Sequence, residues 1–306
     1  MLPALVKMFA LVRDLSARRE VAEIPASRWL VQRHNLASLA ALAGVSQLRA
    51  DLAASTVRWM SVSSQVRTVF ARLAEAGIAA APIKGFAYAS TIYEAPAARP
   101  MTDVDLLVEP GRDAAAQRVL AHAGFRCRSD VRMHHASTWE RDDLTLDLHR
   151  DIMPVGRGRV ALPELWARTR PGWPEGARRL EPVDELVFHL AHMARNRLCG
   201  PLVQVVDAAL LLEHASADAA LARAREWRIV GAVAPALAYC RWILDRNDKP
   251  RLTPPEEDVL FARQPRVARK LVFDVATAGS VQQLAARVIG GGFQWLARRS
   301  KDKVAR

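Results

Sequence analysis

Asp103 and Asp105 stand two residues apart in the segment TDVDLLV, whose last three residues are apolar. Successive residues of a β-strand point to opposite faces, so a strand here places both carboxylates on the same face. Two adjacent negative charges on an apolar strand are costly unless a cation lies between them. Mg²⁺ suits this role, because it binds one or two carboxylates together with substrate phosphates. The pattern therefore predicts metal-assisted phosphate chemistry at this strand.

A third candidate carboxylate, Asp147, lies in the segment LTLDLH. Three leucines alternate there with Thr145, Asp147 and His149, which puts Asp147 and His149 on the face opposite the leucines. If this strand pairs beside the first acidic strand, Asp147 completes a cluster of three carboxylates. Such a cluster can hold two metal ions that stabilise the attacking and leaving oxygens of an in-line phosphoryl displacement.

A Lys-Gly pair, Lys84 and Gly85, follows a short apolar run that predicts a buried strand over residues 78–83. Glycine lets a backbone amide approach a phosphate, and the lysine ammonium offers it a point charge. Plainer alternatives stay open at this level. The Asp-x-Asp pair is also typical of solvated charges on an exposed strand, and Lys84 could be a solvated turn lysine.

The hydrophobic pattern divides the chain into four regions. Residues 1–65 predict a helical N-terminal region, because their apolar residues recur at helical spacing. Residues 66–152 predict the order α-β-α-β-α-β-β-β, a small mixed sheet with helices on one face. Residues 153–183 hold five prolines and four glycines and predict a linker or crossing loop. Residues 184–306 predict a helical C-terminal domain, so the fold class is α+β.

The composition limits the classes of function. With 306 residues, 51% of them hydrophobic, the chain can bury a core and is not a disordered protein. The cysteines Cys127, Cys199 and Cys240 form no CxxC pair, which argues against a cysteine zinc site or a disulfide framework and favours the cytoplasm. No apolar run reaches the roughly 18 residues of a transmembrane helix, so we expect no membrane span.

The net charge of +12 is compatible with an anionic partner, but also with the arginine-rich codon usage of a GC-rich genome. Residues 66–150 contain eleven basic and eleven acidic residues, so the excess charge lies outside the predicted core. A neutral core argues against a template-directed polymerase, and we do not expect nucleic acid as a template.

The stretch PIKGFAYASTIYEAPAARPMTDVDLLV, the Gly124-Phe125 turn and the segment LDLH together resemble a family of bacterial nucleotidyltransferases. This family is a branch of the polymerase-β-like nucleotidyltransferase superfamily. It shows a Lys-Gly turn, a later tyrosine, an arginine before the Asp-x-Asp strand, and an Asp-Leu-His strand. The corresponding positions here are Lys84 with Gly85, Tyr93, Arg99, Asp103 with Asp105, and Asp147 with His149. The likeness extends into the helical C-terminal part.

The resemblance implies a nucleotidyltransferase core that moves a nucleoside monophosphate from an NTP to a hydroxyl or similar acceptor and releases pyrophosphate. The acceptor would lie on a small molecule, a peptide or a protein. The residues implied to bind two Mg²⁺ ions and to act in catalysis are Asp103, Asp105 and Asp147. Those implied to contact the NTP are Lys84, Gly85, Tyr93 and Arg99, the last either on a phosphate or orienting its loop. Candidate acceptor-site residues are His149, His192 and Asp207.

The sequence departs from the superfamily pattern at one point, and one alternative function stays open. Lys-Gly replaces the Gly-Ser or Gly-Gly turn of the wider superfamily and lies further from the first aspartate, which puts the phosphate contact in question more than the metal site. The alternative function is a non-catalytic nucleotide- or anion-binding module on the same fold. The intact acidic triad favours the enzyme, because a pure binder needs no cluster of three carboxylates.

Overall fold

The computed structural model describes residues 1–24, 26–130, 135–153, 160–263, 273–274 and 276–278. The helices are α1 (Pro3–Ser16), α2 (Arg28–Arg33), α3 (Ala37–Leu42), α4 (Arg49–Glu75), α5 (Lys84–Thr91), α6 (Asp113–His122), α7 (Leu162–Ala167), α8 (Pro182–Arg195), α9 (Val203–Leu212), α10 (Ala217–Glu226), α11 (Val230–Leu244) and α12 (Glu256–Leu260). The strands are β1 (Ala80–Ile83), β2 (Val104–Val108), β3 (Arg126–Asp130), β4 (Ala136–Arg141), β5 (Leu144–His149), β6 (Arg170–Pro171) and β7 (Arg178–Arg179).

Five strands form the central sheet, in the order β1-β2-β5-β4-β3. Strand β2 pairs antiparallel with β1 and parallel with β5, while β4 pairs antiparallel with both β5 and β3. The register places Asp105 opposite Asp147, so the strand pairing on which the carboxylate cluster depends is present. A mixed sheet surrounded by helices confirms the predicted α+β class.

The two faces of the sheet have different partners. Val104, Leu106 and Val108 join a buried cluster with apolar residues of α4 and α6. Because side chains alternate along a strand, burying this set sends Asp105 to the opposite face, toward Lys84 at the start of α5. A slip of one residue would bury the carboxylate among leucines and valines, so the apolar face fixes the position of the acidic one.

The terminal regions share a second core. Apolar residues of α1–α3 pack with those of α8–α11, and the ring of Phe9 meets Trp242 edge-on at 5.0 Å between centroids. The predicted boundary at residue 65 falls inside α4, a single helix of 27 residues. Helix α7 and the β6–β7 hairpin lie within the predicted linker, and residues 279–306 of the predicted C-terminal domain lie outside the described residues. The division into four regions stays a prediction.

Among the described residues, none of the helices has both the length and the apolar character that a membrane span needs.

His34 joins the N-terminal helices to the C-terminal ones through two hydrogen bonds. Its Nδ1 accepts from the backbone N–H of Leu202 at 3.0 Å, and its Nε2–H donates to the carbonyl of Leu260 at 2.8 Å. The ring is fully buried, and this burial lowers the pKa of His34 to about 4. Only the neutral imidazole can make both bonds, because protonation removes the acceptor at Nδ1.

We expect the free energy of unfolding to fall as the pH falls from 6.5 to about 4, because unfolded His34 binds a proton that the folded chain excludes. The shift corresponds to about 3 kcal/mol. His34→Met removes this titration, so the stability difference between wild type and variant, measured by urea unfolding, should shrink by that amount over this range. If the stability difference between wild type and variant stayed constant with pH, this would contradict a neutral His34 in the folded chain.

Candidate active site

Lys84 is the first residue of α5 and has a φ of +58°. A non-glycine residue in this region costs roughly 1–3 kcal/mol and persists only where its surroundings hold it there. Its ammonium donates to Oδ1 of Asp105 at 2.6 Å, and 18% of the side chain is exposed. The alternative of a solvated turn lysine is therefore wrong, since Lys84 is held against a carboxylate.

Asp105 is the most constrained carboxylate of the site. Its Oδ1 also accepts a hydrogen bond from Nε2–H of His149 at 2.8 Å. Burial alone would raise the pKa of Asp105, but the Lys84 ammonium and the His149 hydrogen bond together hold it well below its usual range. The carboxylate is therefore ionised and buried, with only 5% of the residue exposed.

Asp105, Asp147 and His149 bring their ligand atoms within 4.8 Å of one another. Asp147 is half-buried, and Thr138 Oγ1–H donates to one of its oxygens at 2.7 Å. His149, a candidate acceptor-site residue, lies in this group, and its role at the acceptor stays a prediction. The alternation of LTLDLH already puts it on the face of Asp147, so the signal was present in the sequence.

Asp103 lies one residue before β2, half-buried, and lines the cleft next to Asp105 rather than joining the group of three. Burial first, and then repulsion from Asp105 and Asp147, raises the pKa of Asp103. The site therefore holds more negative charge than the Lys84 ammonium offsets. Carboxylate oxygens in excess of their cations, with an imidazole beside them, form a donor set that fits a divalent metal ion.

A cleft of about 680 Å³, open to solvent, lies beside these groups. Asp103 and Asp105 line one part of it, and His189 and His192 of α8 line another. Burial lowers the pKa of both imidazoles, and for His192 the Lys84 charge adds to this effect. His189 donates from Nε2 to the carbonyl of Gln204 at 2.7 Å, as expected of a core histidine. The cleft thus combines anionic and neutral polar groups.

Gly85 also lines this cleft, on the first turn of α5. A Cβ atom there would lie 3.8 Å from the side chains of Arg99 and Met101, an ordinary contact distance. The protein alone therefore does not require glycine at this position.

Arg99, Tyr93 and Asp207 form one network. The guanidinium of Arg99 makes a forked pair with Asp207, with Nε–Oδ1 and Nη2–Oδ2 distances of 2.8 Å. The Tyr93 hydroxyl donates to Asp207 at 2.7 Å, and Nη1 of Arg99 donates to the carbonyl of Pro100 at 2.6 Å. The geometry supports a role of Arg99 in orienting the loop between α5 and β2, which is one of the two roles expected for this residue. Asp207 is fully buried, and its contacts are with these two side chains.

A family model described as uncharacterised nucleotidyltransferase matches residues 25–245. This span contains the acidic strands, the Lys-Gly pair and the Arg99–Asp207 network. The chain belongs to this nucleotidyltransferase family. Membership confirms the predicted resemblance and the enzyme class, a transferase of phosphorus-containing groups that uses an NTP. No curated protein matches the sequence of this nucleotidyltransferase.

Removing one partner of the Arg99–Asp207 pair leaves the other charge buried and unpaired. We expect Asp207→Leu or Arg99→Met to lower the free energy of unfolding by about 3–5 kcal/mol each. The double variant should lose clearly less than the sum, and a denaturant double-mutant cycle measures the difference.

The control is the exposed pair between Arg18 and Glu213, whose Nη1–Oε1 distance is also 2.8 Å. Its side chains are 44% and 42% exposed, so Glu213→Gln should cost only about 0–1 kcal/mol. If the losses of unfolding free energy at Arg99 and Asp207 were additive, the buried pair would not couple the loop before β2 to helix α9.

Proposed function

We propose that this nucleotidyltransferase is Mg²⁺-dependent and transfers a nucleoside monophosphate from an NTP to a hydroxyl or similar acceptor on a small molecule, peptide or protein. One observation carries the proposal. Asp105 faces Asp147 across neighbouring strands, and Lys84 and Gly85 lie beside them at the start of a helix. Family membership supports nucleotidyl transfer as the reaction of this site.

Asp103, Asp105 and Asp147 would hold two metal ions, with His149 as a further donor. Bound divalent cations stabilise negative charge on the phosphate oxygens and on the leaving pyrophosphate. The surplus of carboxylate charge at Asp103 supports this assignment. Lys84 would then exchange its contact with Asp105 for the triphosphate, since its ammonium lines the same cleft.

The start of α5 supports triphosphate binding. A helix N-terminus attracts anions through its free N–H groups and its dipole. Lys84 and Gly85 occupy this end of the helix and line the cleft. Gly85 has no side chain, which leaves room for a phosphate at its backbone. The packing of the protein itself does not require glycine at this position.

Asp147 is the group proposed to take the acceptor proton. Thr138 holds one of its oxygens, and the side chain is half-buried beside Asp105. The acceptor oxygen attacks the α-phosphorus as its proton passes to Asp147. A new P–O bond forms, the bond from the α-phosphorus to the β-phosphate bridging oxygen breaks, and pyrophosphate leaves with the bond electrons.

The first test is thermal melting with each NTP, with and without Mg²⁺. A ligand at about 100 times its Kd adds roughly 2.7 kcal/mol of stability. We expect one or more NTPs to stabilise the wild type only with Mg²⁺, and the double variant Asp103→Asn/Asp147→Asn not to respond. Asp142→Asn is the matched control, because Asp142 is exposed in the β4–β5 turn at φ +52°, which asparagine tolerates.

The outcomes separate the enzyme from the binding module. No Mg²⁺-dependent shift with any NTP would contradict the metal–nucleotide site. A shift that needs no Mg²⁺ and survives in the double variant would favour the non-catalytic nucleotide-binding module.

Gly85→Ala tests the phosphate contact separately. We expect its unfolding free energy to equal or exceed that of the wild type, because the added Cβ meets only ordinary contacts and alanine favours a helix. Its affinity for the stabilising NTP with Mg²⁺ should fall at least about tenfold, or 1.4 kcal/mol. Calorimetric titration measures this, and an unchanged affinity would remove Gly85 from the triphosphate site.

A further inference from the structure

Helix α9 presents two polar side chains to the acidic cleft. Its sequence, VQVVDAALLL, is apolar except for Gln204 and Asp207, which stand three residues apart and so share one face of the helix. Both residues line the cleft. Asp207 is bound by Arg99 and Tyr93, whereas Gln204 takes no part in that network.

The side-chain amide of Gln204 faces the cleft without a protein partner. It makes no hydrogen bond with any residue that the structure describes, and Gln204 is partly exposed. Its backbone is bonded, since the carbonyl accepts from His189 at 2.7 Å and the N–H donates to the carbonyl of Pro201 at 3.0 Å. A glutamine amide offers two donors and an acceptor in one plane. It can therefore recognise a planar group that carries complementary donors and acceptors.

Gly200 makes room for this amide. A Cβ atom at Gly200 would lie 2.1 Å from Oε1 of Gln204, which is closer than two such atoms can approach. The backbone of Gly200 is not in the left-handed conformation that favours glycine. The space for the Gln204 amide is therefore the requirement that the structure shows for glycine at this position.

The groups around Gln204 carry no net charge. Burial lowers the pKa of His189 and His192, which keeps both imidazoles neutral. The forked pair of Arg99 with Asp207 cancels one positive and one negative charge. This side of the cleft therefore suits an uncharged polar group, in contrast to the end that holds the surplus of carboxylates.

The cleft has room for a planar ring. Water-sized molecules can occupy about 170 Å³ of it, somewhat more than the roughly 150 Å³ of an engineered protein cavity that takes up benzene. Pro201 and Val203 add apolar surface beside Gln204. Apolar surface with a few polar groups that fix orientation is typical of small-molecule sites.

The acidic residues indicate which substrate the cleft holds. Asp103 and Asp105 line it together with Lys84 and Gly85, the residues proposed to hold the metal ions and the triphosphate. Asp147, the group proposed to take the acceptor proton, is not among the described residues that line it. The cleft therefore fits the nucleotide better than the acceptor, and the uncharged planar part of an NTP is its base.

We propose that the nucleobase of the NTP binds in the cleft against α9, and that the Gln204 amide bonds to the edge of the base and determines which NTP is used. Glutamine can make two hydrogen bonds at once to a base edge, and such a pair discriminates between bases by roughly 5- to 150-fold. The inference rests on the proposed function, because the cleft receives a base only if a triphosphate binds beside it.

Calorimetric titration with ATP, GTP, CTP and UTP, each with Mg²⁺, tests this role. We expect the four Kd values of the wild type to span at least about tenfold. Gln204→Met keeps the length of the side chain but removes its donors and acceptor, so the tightest-binding NTP should lose about tenfold in affinity and the preference should disappear. Inorganic tripolyphosphate, which has no base, should bind the wild type and Gln204→Met equally.

Gly200→Ala tests how the amide is positioned. The added Cβ must displace the Gln204 amide, which is the end of a flexible side chain, so we expect the same loss of preference with the fold retained. The double variant Gly200→Ala/Gln204→Met should lose no more affinity than Gln204→Met alone.

The control variant is Gln117→Met. Gln117 lies on α6, where it donates to Asp113 and Asp130, and it is not among the residues that line the cleft. It should leave all four Kd values unchanged. Binding of tripolyphosphate with Mg²⁺ shows that each variant is folded and that its phosphate site is intact.

The results separate the two proposals. If no NTP binds the wild type with Mg²⁺, the proposed function fails. If NTPs bind but their four Kd values agree, or if Gln204→Met keeps the wild-type preference, the base assignment is wrong while the proposed function stands. An equal loss of tripolyphosphate affinity in Gln204→Met would place Gln204 at the phosphates and overturn base recognition. Additive losses in the double variant would show that Gly200 does not act through the Gln204 amide.

Discussion

The buried negative charge of Asp105 determines the arrangement around it. A carboxylate with so little exposure is stable only if cations or hydrogen-bond donors meet it, and here Lys84 and His149 both contact the same oxygen. Lys84 reaches it from a left-handed backbone conformation at the β1–α5 junction, a strain that this ion pair helps to offset. Register then brings Asp147 opposite Asp105, so one buried charge defines the geometry of two strands and a helix start.

The segment that leads into Asp103 is held by both terminal regions of the chain. On α4, Ser55 donates to the carbonyl of Ala97 at 2.6 Å, and Arg58 donates to that of Thr102 at 3.3 Å. Between these points Arg99 pairs with Asp207 on α9, 108 residues away in sequence. The helical regions therefore hold the segment that carries Asp103, and the residues that make these contacts all lie within the family match over residues 25–245.

Local patterns in the sequence predicted much of this site, but its long-range contacts could not be predicted from such patterns. Alternation in LTLDLH correctly placed Asp147 and His149 on one face. The pairing of the two acidic strands was only a condition of the predicted cluster, and the structure supplies it. The partnership of Arg99 with Asp207 has no periodic signature, because it joins a loop to a distant helix. The boundary at residue 65 fell inside α4 because a change of pattern marks where a helix meets the sheet, not where the helix begins.

Lys84 links the acidic site to the proposed triphosphate. In the free chain its ammonium contacts Oδ1 of Asp105 at 2.6 Å, and the residue also lines the acidic cleft. Under the proposed function, a divalent ion held by the carboxylates would supply positive charge to Asp105, and the Lys84 ammonium would then turn to the triphosphate. Nucleotide binding would in this way exchange one anionic partner of Lys84 for another, a coupling that follows from where this lysine stands rather than from any movement of the fold.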